Sequence, residues 1–417
     1  MILTARKERG LLLLLAAIQF TAVLDFLIVL PLGPEYMRVM GITAKQFGIM
    51  VSSYAISAGV FGAAGGFVLD LFDRKRALLG LFFGFTVGTL CCALAPNYPL
   101  LVAARIIAGG FGGVTGALIL AVVGDVIPEK RRGAAMGWIM SAFSAASVGG
   151  VPIGLWLARQ FTWHAPFFAL AGLGAVILAA TVVMMPALRG HFAHGAEHPV
   201  QRMLAVVTER NHQIAFAFMF VLTLAGAMIF PYIPTYMAVN VGLTDAQLGW
   251  IYIAGGACTL VTLNWIGRWA DRAGKFRVYA LMSLAATIPI LTITNLPRAP
   301  VALGIAVTTI FMICMSGRAV PAMAMMTAAV KPKYRGGFMS ANSSVQQFAA
   351  GIGTCASGLI IGPAHGALPH FTTVGLIAAP CCVGGIYFAR LLKSAEGPPG
   401  PVTPEDEARA EGVGFEM

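Results

Sequence analysis

Gly41-Ile42-Thr43-Ala44-Lys45-Gln46-Phe47-Gly48 returns 201 residues later as Gly242-Leu243-Thr244-Asp245-Ala246-Gln247-Leu248-Gly249. The shared pattern is a helix start: the Thr hydroxyl accepts from the third helical amide while the Gln side chain reaches back to the cap. Upstream, Pro31-x-x-Pro34-x-Tyr36-Met37 returns as Pro231-x-x-Pro234-x-Tyr236-Met237 at an offset of 200. Downstream, Gly66-x-x-x-Asp70 returns as Gly267-x-x-x-Asp271 and Arg132-Gly133 as Arg335-Gly336, at offsets of 201 and 203. So constant a spacing, held from Pro31 to Gly133, means that one structural unit occurs twice in the same order and orientation.

The solvent of that unit follows from composition. Of 417 residues, 58% are hydrophobic and 11% charged, whereas a water-soluble domain has about a quarter of its residues charged. This excludes a soluble enzyme, a nucleic-acid binder and a secreted disulfide scaffold. A hydrocarbon core of about 30 Å takes about 20 helical residues to cross. Apolar runs broken by charge, Pro or Gly predict twelve helices, at 11–33, 45–72, 76–95, 98–126, 131–159, 163–186, 209–239, 244–271, 276–295, 299–330, 335–362 and 370–393. The basic start, Arg6, Lys7 and Arg9, resembles a signal peptide, but the apolar run continues to Leu32 without a small-residue cleavage site and reads as the first spanning helix.

Threaded from a cytoplasmic N-terminus, the twelve helices place 22 of the 28 Lys and Arg residues inside, four outside and two within helices. Basic residues collect in cytoplasmic loops, so both termini are expected in the cytoplasm, and the net charge of +11 needs no polyanionic partner. The expected organisation is an N-terminal six-helix bundle (1–186), a cytoplasmic linker (187–208), a C-terminal six-helix bundle (209–393) and a disordered tail (394–417). His191, His194 and His198 in the linker have metal-ligand spacing but no accompanying Cys or acidic cluster, so no metal is assigned. The seven cysteines lie in apolar stretches without a Cys-x-x-Cys pair and read as small buried residues.

With these motifs in view, the chain from about 11 to 393 resembles the twelve-helix major facilitator superfamily, and within it the drug:proton antiporter-like branch of sugar-efflux and multidrug-efflux members. The loop Gly66-Phe67-Val68-Leu69-Asp70-Leu71-Phe72-Asp73-Arg74-Lys75-Arg76 is similar to the superfamily signature Gly-x-x-x-Asp-Arg-x-Gly-Arg-Arg, departing at Leu71 and Asp73. The second copy, Gly267 to Lys275, keeps Asp271, Arg272 and Gly274. Leu101-x-x-x-Arg105-x-x-x-Gly109 is similar to the family's intramembrane Arg motif. Gly149-Gly150-Val151-Pro152-Ile153-Gly154 resembles the antiporter branch's Gly-Pro element, with Val151 replacing a Gly. The resemblance implies an all-α membrane protein of two pseudo-symmetric six-helix bundles, and gating roles for Gly66, Asp70, Arg74, Asp125, Gly150, Pro152, Gly154, Gly267, Asp271, Arg272 and Lys275. Asp70, with partners Arg74 and Asp125, would clamp the cytoplasmic face in the outward-open state. The alternative for Asp70, Arg74 and Asp125 is a set of charges that only fix topology.

Charges within a bilayer cost about 2.5–3.5 kcal/mol on insertion scales, so each calls for a partner or a function. Only Asp25, Arg105 and Arg318 lie deep. Asp25 and Arg105 each fall about 10–12 Å below the outer surface, at 1.5 Å per helical residue, and can pair. The repeat places Ala225, not an acid, opposite Asp25. Burial favours a neutral carboxyl and a nearby guanidinium favours the ionised one, so changing proximity of Arg105 would load and release a proton. A static ion pair, or a carboxylate that binds a cationic cargo, is the alternative. Arg318 in the tenth helix, with Asn342, Gln346 and Gln347 in the eleventh, suits hydroxyls, carboxylates or phosphates on a cargo; purely interhelical bonding is the alternative. Tyr54, Phe143, Phe230, Tyr232, Trp250 and Tyr252 are candidates for an apolar cavity wall.

The sequence holds no Walker loop; Gly109-Gly110-Phe111-Gly112-Gly113 lies within a spanning helix and reads as close packing. The expectation is a proton-coupled secondary transporter, not an enzyme, without cofactor, exporting a small organic molecule between the two bundles by alternating access. Its partners are the small-molecule substrate, protons and membrane lipid, with no nucleic acid; it is expected to be a monomer in a bacterial inner membrane. An uptake symporter or facilitator, or a receptor that transports nothing, are the alternatives.

Overall fold

The computed structural model describes residues 5–68, 72–127, 129–185, 199–331, 334–363 and 367–395. Among them twelve helices are long and apolar enough to cross a bilayer. In chain order they are span 1 (Glu8–Ile28), span 2 (Ala44–Gly65), span 3 (Arg74–Leu94), span 4 (Tyr98–Gly124), span 5 (Ala135–Gln160), span 6 (Ala165–Met184), span 7 (Arg210–Val241), span 8 (Asp245–Ala273), span 9 (Lys275–Thr294), span 10 (Val301–Ala328), span 11 (Arg335–Ile361) and span 12 (Phe371–Leu391). The chain is a multi-pass membrane protein of two six-helix bundles. Every predicted helix is present, with its ends moved by a few residues. His191, His194, His198 and the tail beyond Ala395 lie outside the described residues.

The repeated octapeptide does the same work in both copies. The chain turns on Gly41 (φ 65°) and Gly242 (φ 94°), a left-handed conformation that a Cβ would strain. The Thr43 amide then donates to Gln46 Oε1 (2.8 Å) and the Gln46 amide to Thr43 Oγ1 (3.2 Å). Thr244 and Gln247 close the same box, with the Thr244 amide 2.9 Å from Gln247 Oε1. Spans 2 and 8 start there.

The repeated proline pairs act differently. Pro31 has no N–H for the carbonyl of Leu27, which takes the amide of Leu30 instead (3.2 Å). Span 1 therefore ends at Ile28 rather than at 33 as expected, and a separate short helix, Gly33–Met40, follows. Around Pro231 and Pro234 the helix persists in altered form: a tight turn at Phe230–Tyr232, one α-turn at Ile233–Tyr236 and a wide turn at Met237–Val241. The end of the expected linker also differs, since Pro199–Thr208 is helical and its fully buried Val206 lies 3.6 Å from the Cβ position of Gly337.

The core divides unequally along the bundle axis. At the end holding the short helix, one continuous apolar cluster joins both bundles, with Leu27, Phe47 and Phe167 from the first and Tyr232, Ile251 and Phe371 from the second. At the opposite end the core is split: Leu15, Phe82, Ile119 and Ile139 pack within the first bundle, and Phe218, Tyr279, Met326 and Phe338 within the second. Spans 2 and 11 carry the joined end through small residues. A Cβ on Gly351 would stand 2.5 Å from Ile56 Cγ1, and one on Gly48 would stand 3.2 Å from Gly358 Cα. Between Gly48 and Gly358 sits the Tyr232 hydroxyl, whose one hydrogen is shared between the carbonyls of Thr354 (3.3 Å) and Ala44 (3.4 Å), one in each bundle.

Candidate functional site

Four spans of the first bundle converge on one buried charge pair. Asp25 from span 1 and Arg105 from span 4 are both wholly buried, and Arg105 Nη1 lies 2.5 Å from Asp25 Oδ2 and 3.3 Å from the Asp25 carbonyl. Thr89 of span 3 donates from Oγ1 to Asp25 Oδ1 (3.1 Å). Tyr54 of span 2 lies beneath the guanidinium, whose carbon is 4.2 Å from the ring centroid, a cation–π contact strengthened by exclusion of water. The spacing makes this possible: Gly109, one turn past Arg105, carries no side chain where span 4 meets the Tyr54 backbone. Gly113, with its Cβ position 2.6 Å from Ala58 Cβ, continues that contact, so the glycine run is packing, as expected.

Two Arg105 nitrogens, Nε and Nη2, make no hydrogen bond. A pair taken out of water is sustained only by close geometry and further donors. Here the acid is bonded on both oxygens and the guanidinium is not satisfied throughout. Nearby Tyr36, in the short helix outside the spans, packs edge-on against Trp163 (5.3 Å, 74°). Burial pushes its phenol far above the usual range, so it stays neutral beside the pair.

Span 5 presses on span 1 on either side of the acid. Gly150 leaves space filled by Leu24 (2.7 Å from its Cβ position), and Gly154 leaves space filled by Ile28. The bend expected at Pro152 takes the form of a wide turn at Ala146–Gly150 just before it. Pro152 itself sits in the first turn of the α-helix that follows, where its missing N–H costs nothing.

In the second bundle Ala225 is buried where the repeat places it. Arg318 of span 10 is 1% exposed and donates from Nη2 to the Leu222 carbonyl of span 7 (2.7 Å) and from Nη1 to Cys382 Sγ of span 12 (3.1 Å). Its Nε makes no hydrogen bond. Asn342 of span 11 is equally buried with Oδ1 unbonded, while Gln346 and Gln347 are half-buried. No hydrogen bond among the described residues joins Arg318 to these three amides. The expected guanidinium–amide cluster is therefore not assembled in this conformation, because a carbonyl and a thiol already hold the guanidinium.

The remaining predicted gating residues divide between the two loops. Gly66 lies in the helix that carries span 2 on to Val68; Asp70 and the Asp125 side chain fall outside the described residues. Arg74 is buried at the start of span 3. Asp73, a departure from the signature, caps that helix by accepting from the amides of Lys75 (2.9 Å) and Arg76 (3.2 Å). In the second loop Gly267 lies 3.7 Å from Val320 at its Cβ position, and Asp271, Arg272 and Lys275 are exposed around Gly274 (φ 94°).

The aromatic candidates separate too. Tyr54 and Tyr232 are interior, Phe230 and Tyr252 line a small cavity with Ile233, Pro234 and Met312, but Trp250 and Phe143 are exposed. Thr89 went unnoticed in the sequence. Its only mark there is a hydroxyl, one of two with Thr86 in the apolar part of the helix, and nothing in the pattern says which neighbour it meets.

A family model described as Major Facilitator Superfamily matches residues 15–211 and 215–414. The chain belongs to the Major Facilitator Superfamily. The two matched segments begin 200 residues apart, which is the offset of the proline repeat. The superfamily chain is similar to "Uncharacterized MFS-type transporter YhcA" of Bacillus subtilis, 28% identical over 42% of this chain and 33% of that one. It is similar also to "Inner membrane transport protein YdhP" of Escherichia coli, 29% identical over 50% of this chain and 52% of that one. These alignments thus span a third to about a half of the relatives' length. "Uncharacterized MFS-type transporter YwfA" of Bacillus subtilis is 27% identical over 89% of both chains. Among solved structures, a D-xylose-proton symporter superposes with a TM-score of 0.78 at 15% identity, covering 93% of this chain and 99% of that one. The nucleoside transporter NupG superposes with a TM-score of 0.68 at 15% identity, covering 92% and 99%.

Proposed function

We propose that this superfamily member is a proton-coupled secondary transporter that exports a small organic molecule by alternating access. The observation that carries the reading is the wholly buried Asp25–Arg105 pair. Among the described residues Asp25 is the sole acid deep inside a span, and its partners come from spans 3 and 4. A carboxylate so placed holds a proton when its guanidinium withdraws and releases it when the guanidinium returns. The continuous core at one end and the divided core at the other match one state of a rocking pair of bundles. With the basic loops and both termini in the cytoplasm, that state faces inward, and Asp70, Arg74, Asp125, Asp271, Arg272 and Lys275 gate the cytoplasmic side.

In this reading residues 1–186 and 209–393 are the moving bundles. Gly66, Gly267, Gly150, Pro152 and Gly154 let them shift, and Arg318, Asn342, Gln346 and Gln347 meet the cargo once Arg318 leaves Leu222 and Cys382. The protein acts as a monomer in a bacterial inner membrane. Uptake by proton symport is the second reading, favoured by the close superposition on a D-xylose-proton symporter.

Proteoliposomes with a lumenal pH dye separate the two. Addition of a transported solute from a panel of sugars, nucleosides and cationic dyes moves protons against the solute in an exporter and with it in a symporter. Asp25→Asn is expected to lower pH-driven solute movement at least tenfold while solute exchange without a gradient persists. Full pH-driven movement in Asp25→Asn would refute the coupling.

A further inference from the structure

Threonines in apolar helices ordinarily spend the hydroxyl on a carbonyl one turn back. Thr86 on span 3 does so, donating to the Phe82 carbonyl (2.8 Å), as do Thr115 to Phe111 (2.7 Å), Thr181 to Ile177 (2.7 Å) and Thr308 to Gly304 (2.8 Å). Thr89, three residues after Thr86 and 1% exposed, instead reaches across to Asp25 Oδ1 (3.1 Å). The carboxylate is thereby shared out, with the guanidinium on Oδ2 and the hydroxyl on Oδ1.

The two partners are chemically unequal. A guanidinium only donates, whereas a hydroxyl both donates and accepts. A carboxylate needs donors; a carboxylic acid carries an O–H that needs an acceptor, and in a wholly buried site an O–H without one costs about 1–3 kcal/mol. Among the side chains bonded to Asp25, Thr89 alone can serve both forms.

We propose that Thr89 is a positioning residue that follows the Asp25 proton, donating to the carboxylate and accepting from the acid. The inference rests on the proton coupling proposed above. In the step, a proton arriving from water bonds to Oδ1. The Thr89 hydroxyl rotates so that its lone pair faces the new O–H, and its own hydrogen turns to the Phe85 carbonyl, four residues back on span 3. Arg105 stays charged, loses its counter-ion and keeps the Tyr54 ring beneath it. Reversal returns the proton to water, with no other reactant. The part played by Thr89 takes only a hydroxyl rotation, and the withdrawal of the Arg105 guanidinium from Oδ2 is the separate movement of the coupling proposed above.

Infrared difference spectra of the full chain in lipid nanodiscs, recorded across a pH titration, test this without knowledge of the cargo. The Asp25 carboxylic-acid band is identified by its loss in Asp25→Asn. Thr89→Val keeps the side-chain shape and removes both the donor to the carboxylate and the acceptor of the acid O–H, so the two losses offset in the midpoint while the band moves to the frequency of a less strongly bonded acid. Thr89→Ser is expected to restore the frequency. An unmoved frequency in Thr89→Val, or a Thr89→Ser variant that behaves like Val, would overturn the role of Thr89 alone. Absence of any Asp25-dependent band in the native chain would overturn the proton coupling and this inference with it.

Discussion

Among the described residues each bundle carries one buried arginine in the interior of a span, on spans 4 and 10, the corresponding helices of the repeat, and each of these reaches a backbone carbonyl of the first helix of its own bundle. Arg105 meets the Asp25 carbonyl and carboxylate; Arg318 meets the Leu222 carbonyl and, in place of an acid, the Cys382 thiol. The scaffold has been kept while the charge balance has not. A cation with an acid beside it can be switched by a proton, whereas a cation without one waits for an anion or an oxygen from elsewhere. The duplication thus permits a division of labour, with proton handling in the first bundle and cargo contact in the second.

That comparison can be broken most easily at Arg105. Arg105→Ala strands Asp25 without its counter-charge in the interior, and the expected loss is about 3–5 kcal/mol, read as a fall in the unfolding midpoint of the purified protein. A loss under 1 kcal/mol would mean that the pair is not a buried ion pair in solution. Gly48→Ala tests what joins the bundles. Its methyl would collide with the Tyr232 hydroxyl, and overpacking of this kind costs about 1–3 kcal/mol. Labelling by an impermeant maleimide of Thr354→Cys in a cysteine-free background should accelerate when Gly48→Ala is added; unchanged labelling would contradict the closure described. The smallest effect is expected at Arg318→Gln. An amide can keep one bond to the Leu222 carbonyl and leaves no stranded charge, so the change should stay near 1 kcal/mol. A loss as large as that of Arg105→Ala would erase the distinction between the bundles.

Much of this was legible in the residues. Helix number, order and duplication follow from apolar runs and from caps whose chemistry is local, and Thr43 with Gln46 and Thr244 with Gln247 close as their spacing requires. Asp25 and Arg105 announced themselves because a charge in an apolar run has few reasons to be there. What stayed hidden depends on neighbours remote in sequence. The same proline pair ends a helix after Ile28 and only reshapes one after Ile229, since packing at the joined end decides whether the chain resumes its axis. Thr89 differs from Thr86 only in what stands opposite. Arg318 and Asn342 belong to consecutive helices of one bundle that pack on other neighbours, a carbonyl and a thiol claim the guanidinium, and no periodicity foretells that.

The seat of Tyr232 has a further consequence. Its hydroxyl keeps the Thr354 carbonyl within its own bundle whatever the bundles do, but it bonds Ala44 and fills the Gly48 notch only when the other bundle is in register, so a slightly parted arrangement keeps neither contact across the seam. Closure of that kind is all-or-none, and the barrier it presents to stray ions and solutes should not thin gradually as the bundles rock but vanish in one step. A leak would then report a lost notch rather than a slackened one.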